Sequence, residues 1–355
     1  MLFSARSILA IDMSPFGKSL ALLPAMRAVR ASYPGTQLVA AAPDGTCELL
    51  RACGVVDETI SLGVINSGDR GLASALKKLA GLVRGARGYS FDLVLDFSPT
   101  VETQVVSRLI LRARVFTHSN LSRVIGKLLD FGGAPRSGGE STRSDYKNVL
   151  QQIGVDLIET RLGIKAAAEE DRRFEDRLAG SGSRGGELIV LLYGSPLGGR
   201  RFWPIEAFGE IGMRLANNFN ARVVAADEPS DCSFTRAVTG LLPSSAIKLS
   251  EPRAMELIAA IARASIVVTD EPAIAQIASE QSTPVIEIAD TASPMAVTTS
   301  TTKRVPSVNA VATLTSGIWD SFSARQDRIG GSAPTSPPSR SCMLTSVLLV
   351  PLADA

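Results

Sequence analysis

Residues 8–43 read ILAIDMSPFGKSLALLPAMRAVRASYPGTQLVAAAP, and this stretch decides the fold of the first half of the chain. The apolar run Ser7–Ile11 is typical of a buried strand, and Gln37–Ala42 is a second run of the same kind. Between them, apolar side chains recur every three or four residues, namely Leu22, Met26, Val29 and Tyr33. This spacing predicts an amphipathic helix that ends at Pro34-Gly35. A strand, a helix and a second strand in this order predict parallel strand pairing.

The same alternation starts again near residue 187, where Glu187–Tyr193 predicts a strand and Pro204–Asn217 a helix. Two such series predict an α/β chain with two doubly wound, Rossmann-like domains facing a cleft, with ligands beyond the carboxyl ends of the strands. The Gly/Ser-rich residues 131–145 predict a mobile surface loop, and GSGSRGG at 180–186 is the best linker candidate. The predicted division is an N-terminal domain at 1–160, a linker at 161–186, a C-terminal domain at 187–320 and a disordered tail at 321–355.

Composition excludes several classes of function. The 355 residues carry a formal net charge of +2, which argues against wholesale electrostatic binding of nucleic acid. The chain has four cysteines with no C-x-x-C pair and a single histidine, His118, so we expect no zinc or other metal site. No run of 18 apolar residues occurs, so we predict no membrane span and at most peripheral membrane contact.

Five segments, taken in their order and spacing, resemble the family 9 glycosyltransferases, the group that contains the ADP-heptose:lipopolysaccharide heptosyltransferases. They are the opening 8–43, VVDETI at 55–60, FDLVLDF at 91–97, LIVLLYGSPLGGRRFWPIEAFGEIGMRL at 188–215, and AMELIAAIARASIVVTDEPAIAQIASEQSTPVIEI at 254–288. The resemblance covers residues 7 to 290 and implies the GT-B fold. It also implies a nucleotide-sugar co-substrate, an ADP-sugar, and no resident cofactor.

On the acceptor side, the resemblance implies a catalytic carboxylate in the turn after the first strand. Family members carry Gly-Asp there, whereas this chain has Gly17-Lys18. A charged lysine cannot accept the proton of a sugar hydroxyl. Asp12 lies where the family often has a basic residue, so we take Asp12 and Lys18 as the catalytic candidates and Gly17 as a ligand contact.

On the donor side, the resemblance implies that backbone N–H groups at a helix N-terminus bind the diphosphate, which makes the strand tips of the second half favourable for anions. The candidate donor-binding residues are Gly194, Ser195, Arg201, Asp231, Asp270 and Glu271. The family motif Asp-Ser-Gly-x-x-His is altered here, because Pro272 removes a backbone donor, Glu271 adds a negative charge and Ala275 replaces the histidine.

Two functions from different classes follow from the resemblance. The first is an inverting glycosyltransferase that moves a heptose-like sugar to a lipopolysaccharide-core or other envelope glycan, in the cytoplasm or at the inner face of the bacterial inner membrane. The second is a catalytically inactive relative that binds glycan, nucleotide or protein. A third possible function is that of a sugar-nucleotide epimerase with the same fold.

Overall fold

The computed structural model describes residues 4–63, 80–86, 88–98, 114–117, 142–157, 161–181, 188–194, 203–229, 231–288 and 347–349. The chain divides into two compact units, residues 1–163 and 164–355. Each unit contains a parallel sheet with helices connecting its strands.

The first unit contains β1 (Ser7–Ile11), α1 (Phe16–Ser19), α2 (Leu22–Ser32), β2 (Gln37–Ala42), α3 (Asp44–Ala52), β3 (Glu58–Ser61), β4 (Leu93–Asp96), β5 (Arg114–Thr117) and α4 (Thr142–Gln152). Residues 80–86 are also helical. The strands are parallel and follow the order β3-β2-β1-β4-β5. All five residues of β1 are buried, because it pairs with a strand on each side and both faces of the sheet are covered. This explains why β1 reads as a continuous apolar run rather than an alternating one.

The second unit contains α5 (Ala168–Gly180), β6 (Ile189–Tyr193), α6 (Ile205–Phe219), β7 (Arg222–Ala226), α7 (Ser233–Val238), β8 (Ile247–Leu249), α8 (Ala254–Arg263), β9 (Ile266–Thr269), α9 (Pro272–Glu280), β10 (Val285–Glu287) and β11 (Val347–Leu349). Its parallel strands follow the order β11-β10-β9-β6-β7-β8. The two units confirm the predicted α/β class with Rossmann-like sheets.

An aromatic cluster holds α6 and α7 against the second sheet. Trp203 packs edge-to-face on Phe208 with ring centroids 4.9 Å apart, and Phe208 packs in the same way on Phe234 at 5.1 Å. All three rings are buried in the core that includes Val190 and Leu192 of β6. Edge-to-face pairs of this kind add about 0.5–1.5 kcal/mol each beyond the burial of their area.

The segment 161–186, for which we predicted a linker, contains the helix α5. Phe174 and Leu178, four residues apart, are buried, and α5 packs against α8. Arg263 of α8 donates two hydrogen bonds to the carboxylate of Asp171, at 2.6 and 2.7 Å. The sequence pattern did not predict this helix, because only two apolar residues lie on its buried face and the rest of the stretch is highly charged. Residues 182–187 lie outside the described residues.

Two further predictions from the sequence differ from what the structure shows. The mobile loop predicted at 131–145 is helical from Thr142 onward, where α4 begins, and the rest of that loop lies outside the described residues. In the tail 321–355, for which we predicted disorder, the structure describes Val347–Leu349. These three residues pair with β10 as the edge strand β11.

In both sheets the strand order reverses beside the first strand of the unit. The reversal falls between β1 and β4 in the first sheet and between β6 and β9 in the second. In doubly wound sheets, ligands bind beyond the carboxyl ends of the strands at such a point. The residues that follow these four strands therefore define the places to examine for a site.

Candidate functional site

Asp12 directly follows β1 and lies at the reversal point of the first sheet. Its side chain is fully buried. One carboxylate oxygen accepts the Ser14 N–H at 2.9 Å, and the other accepts the hydroxyl of Tyr146 from α4. The Tyr146 ring is stacked on Phe97, which follows β4, with centroids 4.6 Å apart. The Asp12 carboxylate thus joins the end of β1 to a helix more than 130 residues later in the chain.

Burial shifts the pKa values of both Asp12 and Tyr146. Removal from water raises the pKa of Asp12 above its usual value, although the hydrogen bonds from Tyr146 and Ser14 oppose that shift. Burial and the nearby Asp12 charge raise the pKa of the Tyr146 hydroxyl well above its ordinary range, so it stays a donor. A carboxylate held in this way can stabilise the fold, and it can act as a base only if an acceptor hydroxyl reaches it.

The other two acceptor-side candidates lie on α1. Gly17 is half-buried inside this four-residue helix, and Lys18 is exposed in its last turn. The buried members of α1 are Phe16 and Ser19, and the Ser19 hydroxyl donates to the Phe16 carbonyl at 2.8 Å. The turn expected at Gly17 is therefore a short helix, and the side chain of Lys18 points to solvent.

Gly194 follows β6 at the reversal point of the second sheet, and packing alone explains why it is a glycine. A Cβ atom added there would lie 2.5 Å from two ring carbons of Phe234. The side of Gly194 that would carry a side chain is thus covered by an aromatic ring of the same unit. Ser195 and Arg201 lie outside the described residues.

Two carboxylates after β7 bind the start of α7. Asp227 accepts the N–H groups of Phe234 at 2.7 Å and Thr235 at 3.1 Å. Asp231 accepts the N–H of Cys232 at 2.9 Å and the Ser233 hydroxyl at 2.6 Å. The backbone donors at this helix end, which could bind a phosphate in a Rossmann-like fold, are engaged by side chains of the chain itself.

Sequence reasoning selected Asp231 and missed Asp227, whose side chain is the more buried of the two. Burial raises the pKa of Asp227 to about 6, although the hydrogen bonds from Thr235 and Phe234 act in the opposite direction. Asp227 directly follows a predicted strand, and this position could have identified it as a candidate.

Two more acidic residues, Asp270 and Glu271, follow β9. Asp270 is buried, and the Glu271 N–H donates to the Thr269 hydroxyl at 3.0 Å. Pro272 is the first residue of α9 and has no N–H, while the N–H groups of Ile274 and Ala275 donate to the Glu271 carbonyl at 3.1 and 3.2 Å. Pro272 thus takes away one of the backbone donors that a diphosphate would use, as the sequence predicts.

Negative charge accumulates where these strand ends meet. The Tyr193 hydroxyl has a pKa raised well above its ordinary value by burial and by four nearby acidic side chains, namely Glu228, Glu271, Asp227 and Asp231. The structure therefore brings Asp231 and Glu271 together with two acids that sequence reasoning missed. These acids disfavour an anion at the described part of this edge, whereas Ser195 and Arg201, on which the expectation of strand tips favourable for anions also depends, lie outside the described residues. Within the described part, no group of three or more His, Cys, Asp or Glu side chains could hold a metal ion.

Comparison with known proteins gives the class of fold. The sequence matches no protein-family model and no curated protein. Solved structures do match, and among them are proteins named as glycosyl transferase or heptosyltransferase. The chain therefore has the GT-B fold, with two Rossmann-like units.

Three solved structures illustrate the likeness. A family 9 glycosyl transferase from Veillonella parvula is 17% identical with a TM-score of 0.62, covering 83% of each chain. The E. coli heptosyltransferase WaaC, solved with ADP, is 16% identical with a TM-score of 0.54, covering 88% of this chain and 98% of the other. E. coli ADP-heptose lps heptosyltransferase II is 14% identical with a TM-score of 0.53, covering 81% and 86%. The resemblance to family 9 is thus confirmed as one of structure.

None of the helices that the structure describes combines the length and the apolar character that crossing a membrane requires.

Proposed function

We propose that this protein is a glycosyltransferase that uses a nucleotide-sugar donor. The observation that carries the proposal is the GT-B fold, shared over more than four-fifths of the chain with proteins named as glycosyl transferase or heptosyltransferase. Support also comes from Asp12 and Gly194, which occupy the reversal points of the two sheets.

The finer proposal concerns donor, acceptor and stereochemistry. We propose an ADP-linked, heptose-like donor, because one structural neighbour was solved with ADP and another is named for ADP-heptose. The acceptor would be a lipopolysaccharide-core or other envelope glycan. An acceptor hydroxyl attacks C1 of the donor sugar and inverts it, a base takes the hydroxyl proton, and the nucleoside diphosphate leaves. Arg201 is the proposed counter-charge for the diphosphate, since a guanidinium can bind two of its oxygens at once.

Asp12 is the proposed base, and Lys18, exposed on α1, is the second proposed catalytic residue. A carboxylate whose pKa is raised by burial is a stronger base than one in water, provided that the acceptor hydroxyl reaches it without admitting solvent. In the structure, however, its two oxygens face Tyr146 and the Ser14 N–H, and the side chain is fully buried. Transfer through Asp12 therefore requires that the acceptor displace the Tyr146 hydroxyl.

The same observation favours a second candidate function, that of a catalytically inactive binding protein. A buried carboxylate that Tyr146 and Ser14 hold in place acts as a structural link between β1 and α4. The acids at the start of α7 and beside α9 disfavour a diphosphate at the described edge of the second sheet. Under this candidate the protein binds a glycan, a nucleotide or another protein without transfer.

Calorimetry with ADP-, UDP- and GDP-sugars distinguishes the candidates. Binding of one donor at millimolar concentration or below is expected for the transferase, and absence of heat with all three would overturn it. Where a donor binds, release of the nucleoside diphosphate in the presence of an envelope-glycan acceptor measures turnover. Binding without turnover would establish the inactive candidate.

The role of Asp12 is tested separately with Asp12→Asn. We expect this variant to abolish transfer while donor binding is retained. The matched control is Asp92→Asn in the same unit, because Asp92 also accepts two backbone N–H groups, from Arg6 at 2.6 Å and Ser7 at 3.2 Å, but lies at the amino end of β4. An unchanged rate in Asp12→Asn would eliminate the carboxylate as the base.

A further inference from the structure

The two oxygens of the Asp12 carboxylate are held by donors of different origin. The Ser14 N–H, which bonds Oδ1 at 2.9 Å, lies two residues away, so this contact belongs to the local turn after β1. The Tyr146 hydroxyl, which bonds Oδ2, belongs to α4 and lies 134 residues later in the chain. Oδ1 therefore keeps its donor whenever the turn is folded, whereas the donor to Oδ2 depends on the position of a single side chain.

Among the described residues, no cation balances the charge of the Asp12 carboxylate. Burial raises the pKa of this carboxyl, and the hydrogen bonds from Tyr146 and Ser14 oppose the rise. The charged groups on the elements around it are Lys18 of α1, Arg27 and Arg30 of α2, Asp96 of β4, and Asp145 and Lys147 of α4. None of these shifts the pKa of the carboxyl. The Tyr146 hydroxyl is thus the main group that favours its ionised form.

The Tyr146 side chain and the helix that carries it are held by different contacts. Its ring is fully buried and is stacked on Phe97, with centroids 4.6 Å apart. At the other end of α4, the Gln152 amide donates to a carbonyl of β5 at 2.9 Å, and the Tyr33 hydroxyl donates to the Ile153 carbonyl at 3.2 Å. The Tyr146 side chain can therefore leave the carboxylate while this end of the helix stays anchored.

We propose that Tyr146 is a positioning residue that keeps Asp12 ionised in the free protein and holds the place that the acceptor hydroxyl takes during transfer. This rests on the proposed function, in which Asp12 is the base. Both hydroxyls present an O–H donor to Oδ2, so one replaces the other without leaving the buried oxygen unbonded. The acceptor oxygen then forms its bond to C1 of the donor sugar, its proton passes to Asp12, and the bond from C1 to the diphosphate oxygen breaks.

The pH dependence of transfer in Tyr146→Phe tests both roles. Without the hydroxyl, protonation of Asp12 extends to higher pH in the free protein. The acid side of the profile of kcat/KM for the acceptor should therefore move to higher pH, with a loss of roughly tenfold below it. The profile of kcat should not move, because the acceptor hydroxyl occupies Oδ2 in both complexes. At higher pH the KM for the acceptor should fall, since no hydroxyl competes with it.

Tyr33→Phe is the matched control, because it also deletes a mostly buried tyrosine hydroxyl that bonds at α4 but does not contact Asp12. It should leave both profiles at their wild-type positions. If Tyr146→Phe lowers the rate equally at every pH, or if Tyr33→Phe produces the same shift, Tyr146 only stabilises the fold and the proposal is wrong.

Carbon NMR of protein labelled at the aspartate carboxyl carbons tests Tyr146 without turnover. Asp12→Asn identifies the Asp12 signal by its loss. We expect the titration of this signal to move to higher pH in Tyr146→Phe and to stay in place in Tyr33→Phe; an unmoved titration in Tyr146→Phe would overturn the proposal. If the titration moves but the wild type transfers no sugar, the proposed function and the place-holding role fail, whereas the role of Tyr146 in keeping Asp12 ionised stands.

Discussion

Replacing Asp227 with asparagine should remove a pH dependence from the stability of the second unit. The carboxylate is buried and caps the start of α7, and its pKa is raised from 3.8 to about 6, mainly by burial. Between these two values the folded protein binds a proton that the unfolded chain has released. Stability therefore falls as pH rises through this window, and the penalty is fully present above about pH 7.

The size of the effect follows from the two pKa values. A difference of about two pH units, at 1.36 kcal/mol for each, corresponds to about 3 kcal/mol between pH 3.5 and pH 7. Asparagine keeps an oxygen that can accept the Phe234 N–H but carries no charge, so it avoids the cost of burying one. If asparagine caps the helix less well, the resulting loss of stability is the same at every pH. It therefore displaces the curve of unfolding free energy against pH without changing its slope.

Urea unfolding followed by tryptophan fluorescence, repeated every 0.5 pH unit from pH 3.5 to 7.5, measures how the free energy of unfolding depends on pH. Trp203 is buried in the core of the second unit, so the fluorescence that it contributes reports on the unit that contains Asp227. We expect the free energy of unfolding of Asp227→Asn, relative to wild type, to improve by about 3 kcal/mol across this range. A difference between the two proteins that is constant with pH would refute the assignment of a buried, proton-binding carboxyl.

Three further predictions concern packing and hydrogen bonding. Gly194→Ala should lower the free energy of unfolding by about 1–3 kcal/mol, because its Cβ would lie 2.5 Å from the Phe234 ring; an unchanged thermal midpoint would contradict the packing. Tyr146→Phe should destabilise the first unit by about 1–3 kcal/mol, measured by urea unfolding, because the buried Asp12 carboxyl loses the hydrogen bond from the Tyr146 hydroxyl; a neutral effect would show that the contact contributes nothing. Arg263→Met should cost about 1 kcal/mol or less, and the loss should shrink in 1 M salt, because its acidic partners on α5 are partly exposed; a loss independent of salt would point to packing instead.

The fold was predictable because its decisive elements carry strong, redundant signals. The run at β1 is continuously apolar because the strand is buried on both faces, and the helix α2 ends where Pro34-Gly35 predicts. The helix α5 was not predictable in the same way. It is stabilised by two apolar residues and by ion pairs with α8, partners that lie more than 70 residues away in the sequence.

The candidate site was predictable in position but not in chemistry. Asp12, Gly194 and Asp270 could be placed because residues that follow parallel strands must lie at one edge of a sheet. Sequence could not show that Tyr146 closes over Asp12, because the two residues are 134 positions apart. Nor could it show that Asp227 and Asp231 bind the backbone of α7, since that depends on how the loop after β7 folds back.

A crystal structure of the protein soaked with the nucleoside diphosphate that calorimetry selects tests the central claim most directly. The account predicts electron density for the diphosphate beyond the carboxyl ends of β6 and β9, next to Gly194. Density for the nucleotide at any other surface, with this edge occupied only by water, would contradict the assignment of a donor site to the second unit.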